Sequence, residues 1–325
     1  MTTERSPHWN KLPVIACAAG LALAGTATAQ NYPTKPIRLF VSDAGGGVDI
    51  TMRLVGQAIT GPLGQQIVIE NRGGGVIAPD AVAHAAPDGY TLLGFGTALW
   101  LIQFMRAQLP FNFTNDFAPI ALATRSPGVL VTHPSLPVKS VKELIALAKA
   151  KPGALNYATA STGTSNHLAA ELFKYMAGIN ATRIPYKGNG ALVNALISGE
   201  APFGIPVVES VGQHIRSGRM HALAVTTPQR SVAFPDLPTI AESGLPGYST
   251  QATIGLFAPA KTPAAIITRL NREVSAALAR PDIKDRFLKD GVEVGGGTAE
   301  QFAAVIEADM RIMGKLIKDV GIRDE

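Results

Sequence analysis

The sequence predicts an α/β protein built as two units that face each other across a hinged cleft. Three observations predict it. Strand-like and helix-like segments alternate from "YPTKPIRLFV" onward, the order that builds sheets flanked by helices. Two strand ends carry small, amide-rich turns, "SDAGGGVD" and "ASTGTSNH". The chain has 325 residues, 46% hydrophobic and 16% charged, a globular balance long enough for two domains.

The first segment is not part of that fold. "MTTERSPHWNK" carries Arg5 and Lys11, "LPVIACAAGLALAG" is apolar, and Ala27 and Ala29 form an A-x-A cleavage pattern. Residues 1–29 read as a secretory signal cut after Ala29. The apolar stretch is shorter than the roughly 20 residues that cross a bilayer. Cleavage takes the net charge from +5 to +4. It also removes Cys17, the one cysteine. A mature chain without thiols, exported to an oxidising compartment, relies on its apolar core rather than on disulfides.

Residues 30–130 read as the first unit. "PIRLFV" is a short strand. "VDITMRLVGQAITGPL" is a helix with Ile50, Leu54, Ala58 and Ile59 on its apolar face, ended by Pro62. Strand "QQIVIENR", helix "APDAVAHAAPDG" and strand "YTLLGFG" follow. Residues 131–250 read as the second unit, beginning near "PGVLVTHPSLP". Ser140 caps the helix "SVKELIALAKAKPG", with Glu143 three residues on. Then come strand "LNYATA", turn "STGTSN", helix from His167, strand "TRIPY", helix "GALVNALISG", strand "APFGIPVV", helix "VGQHIRSG" and strand "MHALAVTT". Residues 251–325 return to the first unit as strand "QATIGLFAPA" and two amphipathic helices.

Chemistry is expected where the turns are. Ligands of open α/β sheets bind beyond the carboxyl ends of strands. Helix starts there offer unpaired N–H groups and about half a positive charge. Glycine lets an anion approach the backbone closely. The first turn, Ser42, Asp43, Ala44, Gly45, Gly46 and Gly47, and the second, Ser161, Thr162, Thr164, Ser165 and Asn166, read as two nests gripping one anion. Asp49 is placed to cap its helix and hold the loop. Asp43 at the mouth would repel an anion or meet a ligand ammonium. Tyr186 is positioned to line the cleft. His167 reads as a packed, hydrogen-bonded residue near a helix start.

Enzyme signatures do not fit. Gly45 and Gly47 begin a dinucleotide fingerprint, but Ile50 stands at its third glycine. No lysine completes a phosphate-binding loop, and no G-x-S-x-G is present. The histidines lie scattered, without H-x-x-x-H. No basic cluster interleaved with aromatics suggests nucleic acid. The expectation is a binding protein without catalysis, metal or cofactor.

The motifs "YPTKPIRLFV", "GGGVD" before "MRL", "LGQQIVIENR", "AHAAPDGYTLL", "STGTSNHLAAELF", "IPYKGNGALVNALISGE" and "FPDLPTIAESGLPGY", in this order and spacing, resemble the receptors of tripartite tricarboxylate transporters, the TctC-like or Bug proteins. The resemblance spans nearly the whole mature chain. It implies a type II periplasmic-binding fold with two α/β lobes and Venus-flytrap closure. It implies a periplasmic, monomeric receptor of a small carboxylate: a dicarboxylate, tricarboxylate, amino acid or aromatic acid. Its partners would be inner-membrane permease subunits or a sensor domain. Carried over, the ligand-gripping role falls on Ser42 to Gly47, Thr97 and Ser161 to Asn166, with Tyr186 and Gly188 in the matching "PYKG" turn. The chain departs from the family pattern at Ser42, Asp43, Ser161, Pro202 and Thr253. These departures suggest a more polar and roomier pocket.

Overall fold

The computed structural model of the protein describes residues 32–42, 44–73 and 75–324. The expected signal over 1–29, Cys17 within it, and Asp43 lie outside the described residues.

The chain begins β1 (Ile37–Val41), α1 (Gly47–Leu63), β2 (Ile67–Asn71), α2 (Ile77–Ala83), β3 (Thr91–Gly96). A short α3 (Ala98–Leu101) runs on as a 3-10 turn (Ile102–Phe104), then α4 (Phe113–Asp116) and the long β4 (Phe117–Pro127). Next come β5 (Val129–Thr132), α5 (Val141–Ala150), β6 (Asn156–Thr159), α6 (Ser165–Ala177), β7 (Thr182–Pro185), α7 (Gly188–Ser198), β8 (Phe203–Gly204), α8 (Val208–Arg216) and β9 (His221–Val225). The chain closes with β10 (Gln251–Pro259), α9 (Ala264–Ala279), α10 (Pro281–Lys289), β11 (Glu293–Val294) and α11 (Ala299–Val320).

Two sheets result, ordered β11-β4-β10-β3-β1-β2 and β7-β6-β8-β5-β9. In the first, β1 pairs parallel with β2 and β3, while β10 and β11 run antiparallel to their neighbours. In the second, β6 pairs parallel with β7 and β8, and β5 pairs antiparallel with β8 and β9. Strand alternation sorts the core. In β1, Ile37, Leu39 and Val41 pack in one cluster with Met52, Val55 and Ile59 of α1, while Phe40 belongs to another on the opposite face. That second cluster holds the aromatic knot of Trp100, Phe113, Phe257 and Phe302, with Phe257 and Phe302 ring centres 5.3 Å apart.

The apolar face of α1 differs from the expected one. Ile50 is 53% exposed and Leu54 is half-buried; the buried ridge is Met52, Val55, Ala58, Ile59 and Leu63. Ala58 and Ile59 alone belong to both assignments. Periodicity fits either ridge, and packing on the sheet decides. Pro62 does not end this helix. It sits in the last turn, and Gly64, left-handed at φ 68°, closes it. Ser140 caps α5 as expected, accepting from the Glu143 N–H at 3.2 Å.

The chain crosses between the sheets twice. Gly128 alone links β4 to β5, and residues 226–250 return to β10. Thr226 laces the crossings together. Its Oγ1 accepts from the Gly128 N–H (2.8 Å) and donates to the Thr250 carbonyl (2.7 Å). Its backbone N–H donates to the Gly128 carbonyl and its carbonyl accepts from the Thr250 N–H, both at 3.0 Å. A Cβ at Gly128 would lie 2.9 Å from Thr226 Cγ2 and 3.0 Å from Ile205 Cγ2, so only glycine fits without displacement.

Candidate functional site

The first turn is shaped by residues below it. Gly45 is left-handed at φ 75°, Gly46 is the extended N-cap, and α1 starts at Gly47. Asp49 does not cap the helix in the usual way. Its Oδ2 takes the Gly45 N–H at 2.9 Å, and its Oδ1 takes Asn71 Nδ2 (2.9 Å) and Arg53 Nε (2.9 Å). Burial opposes ionisation, but the Gly45, Arg53 and Asn71 contacts outweigh it and hold the carboxyl below its ordinary value. Asn71 also donates to the Ser42 carbonyl. The Gly45 amide is therefore spent on the loop. The first helical bond is Ile50 N–H to the Gly46 carbonyl, so the amides of Gly47, Val48 and Asp49 have no acceptor within the helix.

Thr97 follows β3, but its hydroxyl is engaged. It accepts from the Thr253 N–H (3.1 Å) and lies 3.4 Å from the Thr253 carbonyl. The residue at 253 thus orients Thr97 through its backbone.

In the second turn α6 begins at Ser165, two residues earlier than expected, with Thr164 as N-cap. Much of the side-chain polarity here is internal. Thr164 Oγ1 donates to the Ser161 carbonyl (2.7 Å). The buried Asn166 accepts from Ala160 N–H (2.8 Å) and donates to Asn189 Oδ1 (3.1 Å), tying the starts of α6 and α7 together. The expected nest of hydroxyls and amides is corrected accordingly: Thr164 and Asn166 build the turn, and Ser165, Asn166 and His167 offer helix-start N–H groups. The sequence reading missed Arg183. From β7 its Nε donates to Thr159 Oγ1 (2.8 Å), Nη2 to the Ala160 carbonyl (3.1 Å), and Nη1 to Thr162 Oγ1 (3.3 Å). A guanidinium alone carries donors in a fork wide enough for three such acceptors. His167 is buried, and its Nδ1 accepts from the Gly163 N–H at 3.1 Å. Burial, then the neighbouring Arg183 charge, push it down to about 4, so the ring is neutral.

Tyr186 does not present its hydroxyl to the cleft. The hydroxyl donates to Glu200 at 3.0 Å. Glu200 precedes Phe203, which pairs with Tyr157, so it lies toward the amino ends of the strands, away from the turn after Thr159. Burial first, then Glu200, push the phenol up to about 12. Gly188, left-handed at φ 83°, opens α7.

Two cavities show what meets across the layers. One, of about 130 Å³, has Thr162, Gly163 and Thr164 on one wall and Ala98 at the start of α3 on the other. Phe95, Leu99, Ile102, Met105 and Phe111 fill out its lining. The segment after Thr97 brings large apolar side chains to this cavity. The second cavity, about 20 Å³, admits a single water. Thr97, Ser165, Gln251 and Asp309 line it. Burial pushes the Asp309 carboxyl up to about 6, against its hydrogen bond from Trp100 Nε1. The turn 44–47 lines neither cavity. It lies beside them, with Val48 near Gly96 and Ile254 at the edge of Gly47. Among the described residues, no three His, Cys, Asp or Glu side chains stand together to hold a metal, and no helix is long and apolar enough to cross a membrane.

Two α/β layers crossed twice at one edge, with helix starts facing a small cavity between them, define a solute-binding protein of the type II periplasmic class. The chain belongs to the tripartite tricarboxylate transporter receptor family, TctC, whose model matches residues 51–322. Its fold matches R. palustris Rpa4515 solved with adipate, at 33% identity and TM-score 0.80, covering 90% of this chain and 99% of that one. It matches the periplasmic binding protein BugD at 29% and 0.77, covering 90% and 100%. It matches MatC of Rhodopseudomonas palustris with bound malate at 30% and 0.74, covering 88% and 100%. The family is one of periplasmic binding receptors.

Proposed function

We propose that this protein is an exported receptor that captures a small carboxylate and passes it unchanged to the permease subunits of a tripartite transporter. The cavity between the start of α3 and the Thr162–Thr164 turn carries this reading. The helix-start amides of α1 and α6 attract an anion at low reorganisation cost, because Asp49 and Asn71 already hold the first turn in shape and Arg183 the second. The lobes are residues 30–130 with 251–325, and 131–250. Rotation about the Gly128 and Thr226–Thr250 crossings closes them on the ligand. In the closed state the first turn, Ser42 to Gly47, joins Thr97 and the second turn around the carboxylate. The adipate and malate held by two of the structural neighbours support the ligand class.

A thermal-shift panel of carboxylates tests the reading, since a ligand of the folded state raises its stability by mass action. Several degrees of stabilisation by at least one small carboxylate, and none by its amide, is the expected result. A flat response to every acid, with no change in uptake on deleting the protein, contradicts it.

A further inference from the structure

A carboxyl lies where the two lobes meet. We infer that Asp309 is a proton-sensitive latch: the lobes close over it with uptake of one proton, so mild acid favours the closed receptor. The inference rests on the two-lobe reading above and adds a regulation to it.

The water-sized cavity at Asp309 has walls from both lobes. Leu101 and Met313 stand with Asp309 on the first lobe, and Ser165, Leu168 and Ala169 of α6 face them from the second. Helix α11 thus carries the carboxyl and α6 covers it. Among the described residues its one hydrogen bond is the long contact from Trp100 Nε1, 3.4 Å, within its own lobe. Four apolar side chains surround it, Leu101, Leu168, Ala169 and Met313, and burial among them disfavours the charged form.

The charge acting on Asp309 is Arg125 of β4, which favours ionisation. Arg125 Nε is buried without a hydrogen-bond partner among the described residues, and in the strand register Arg125 stands opposite Glu293 of β11. Helix α6 brings no charge to the cavity, since His167 and Lys174 both face Glu171 within the second lobe. On α11 itself Glu307 and Arg311 are exposed. Desolvation outweighs Arg125, and the covered carboxyl sits at about 6 rather than 3.8. When α6 swings away, water reaches the carboxyl while Arg125 stays beside it, and the group returns to its ordinary value or below. The closed form therefore holds the extra proton between those values, and closure is favoured as the pH falls through 6. From pH 7.5 to pH 5 the ratio of closed to open protein rises about tenfold.

Spin labels on Gln57→Cys of α1 and Asn194→Cys of α7, exposed positions on different lobes, test this by pulsed electron spin resonance. The mature protein, residues 30–325, has no other cysteine. The short-distance population is expected to grow about tenfold relative to the long one between pH 7.5 and pH 5. In Asp309→Asn the ratio should stay constant over that interval. If this variant does not fold, the response of the unmodified protein decides alone. Two populations in a pH-independent ratio, or a pH response that survives Asp309→Asn, overturn the latch and leave the hinged receptor standing. One fixed distance at both pH values overturns the latch and the hinge together.

Discussion

Acid should act on this protein through two buried groups of opposite sign. His167 titrates near 4 in the folded state and near 6.5 when unfolded. Between those values the unfolded chain holds the extra proton, so stability falls as the pH drops through that window. Moving from pH 7 to pH 4 removes about 3 kcal/mol through His167. Asp309 works the other way. Its folded value is about 6 against 3.8, so the folded state holds the extra proton and stability rises as the pH falls. The same step returns about 2 kcal/mol. The two nearly cancel, and each unmasks the other when removed. His167→Asn keeps an acceptor for the Gly163 N–H but does not titrate. Its stability relative to the unmodified protein should improve by about 3 kcal/mol on going from pH 7 to pH 4. Asp309→Asn should lose about 2 kcal/mol over the same interval, after starting ahead of the unmodified protein at pH 7. Urea unfolding followed by circular dichroism at pH 7, 5.5 and 4 measures both differences. Parallel curves for His167→Asn and the unmodified protein would falsify the claim that this imidazole is held neutral.

Other perturbations act more locally. Gly46→Pro suits the backbone, because φ is already −77°, but it deletes an amide at the helix start; calorimetry should show at least tenfold weaker carboxylate binding with an unchanged circular dichroism spectrum. Arg183→Leu frees Thr159, Ala160 and Thr162 and should cost about 2–4 kcal/mol of stability in urea titration, and Arg183→Lys should not restore it, since an ammonium cannot span three separated acceptors. Equal midpoints for Arg183→Leu and the unmodified protein would refute the clamp. Gly128→Ala should lower stability by about 1–3 kcal/mol through its clash with Thr226 and Ile205, read as a drop in melting temperature; an unchanged melting temperature would show that the crossing has room to spare.

The sequence by itself determined the alternation of strands and helices, the two turns at strand ends, the cap at Ser140 and the family. These are local or strongly periodic signals, and glycines and caps act within a few residues of themselves. It did not determine α10 or β11, because Pro281 follows α9 directly and β11 spans only two residues. Tertiary structure alone decided which polar groups of the site are spent and which are offered. Gly45 goes to Asp49, Thr97 to Thr253, Asn166 to Asn189 and Tyr186 to Glu200, and three of those four partners lie fourteen or more residues away. The segment from Ala98 to Phe111, unassigned by any motif, became the apolar wall because β10 inserts beside β3 and the chain after β3 must fold over the sheet. Hydrogen-bond donors are countable in a sequence, but which acceptor claims each one depends on distances that exist only once the chain has packed.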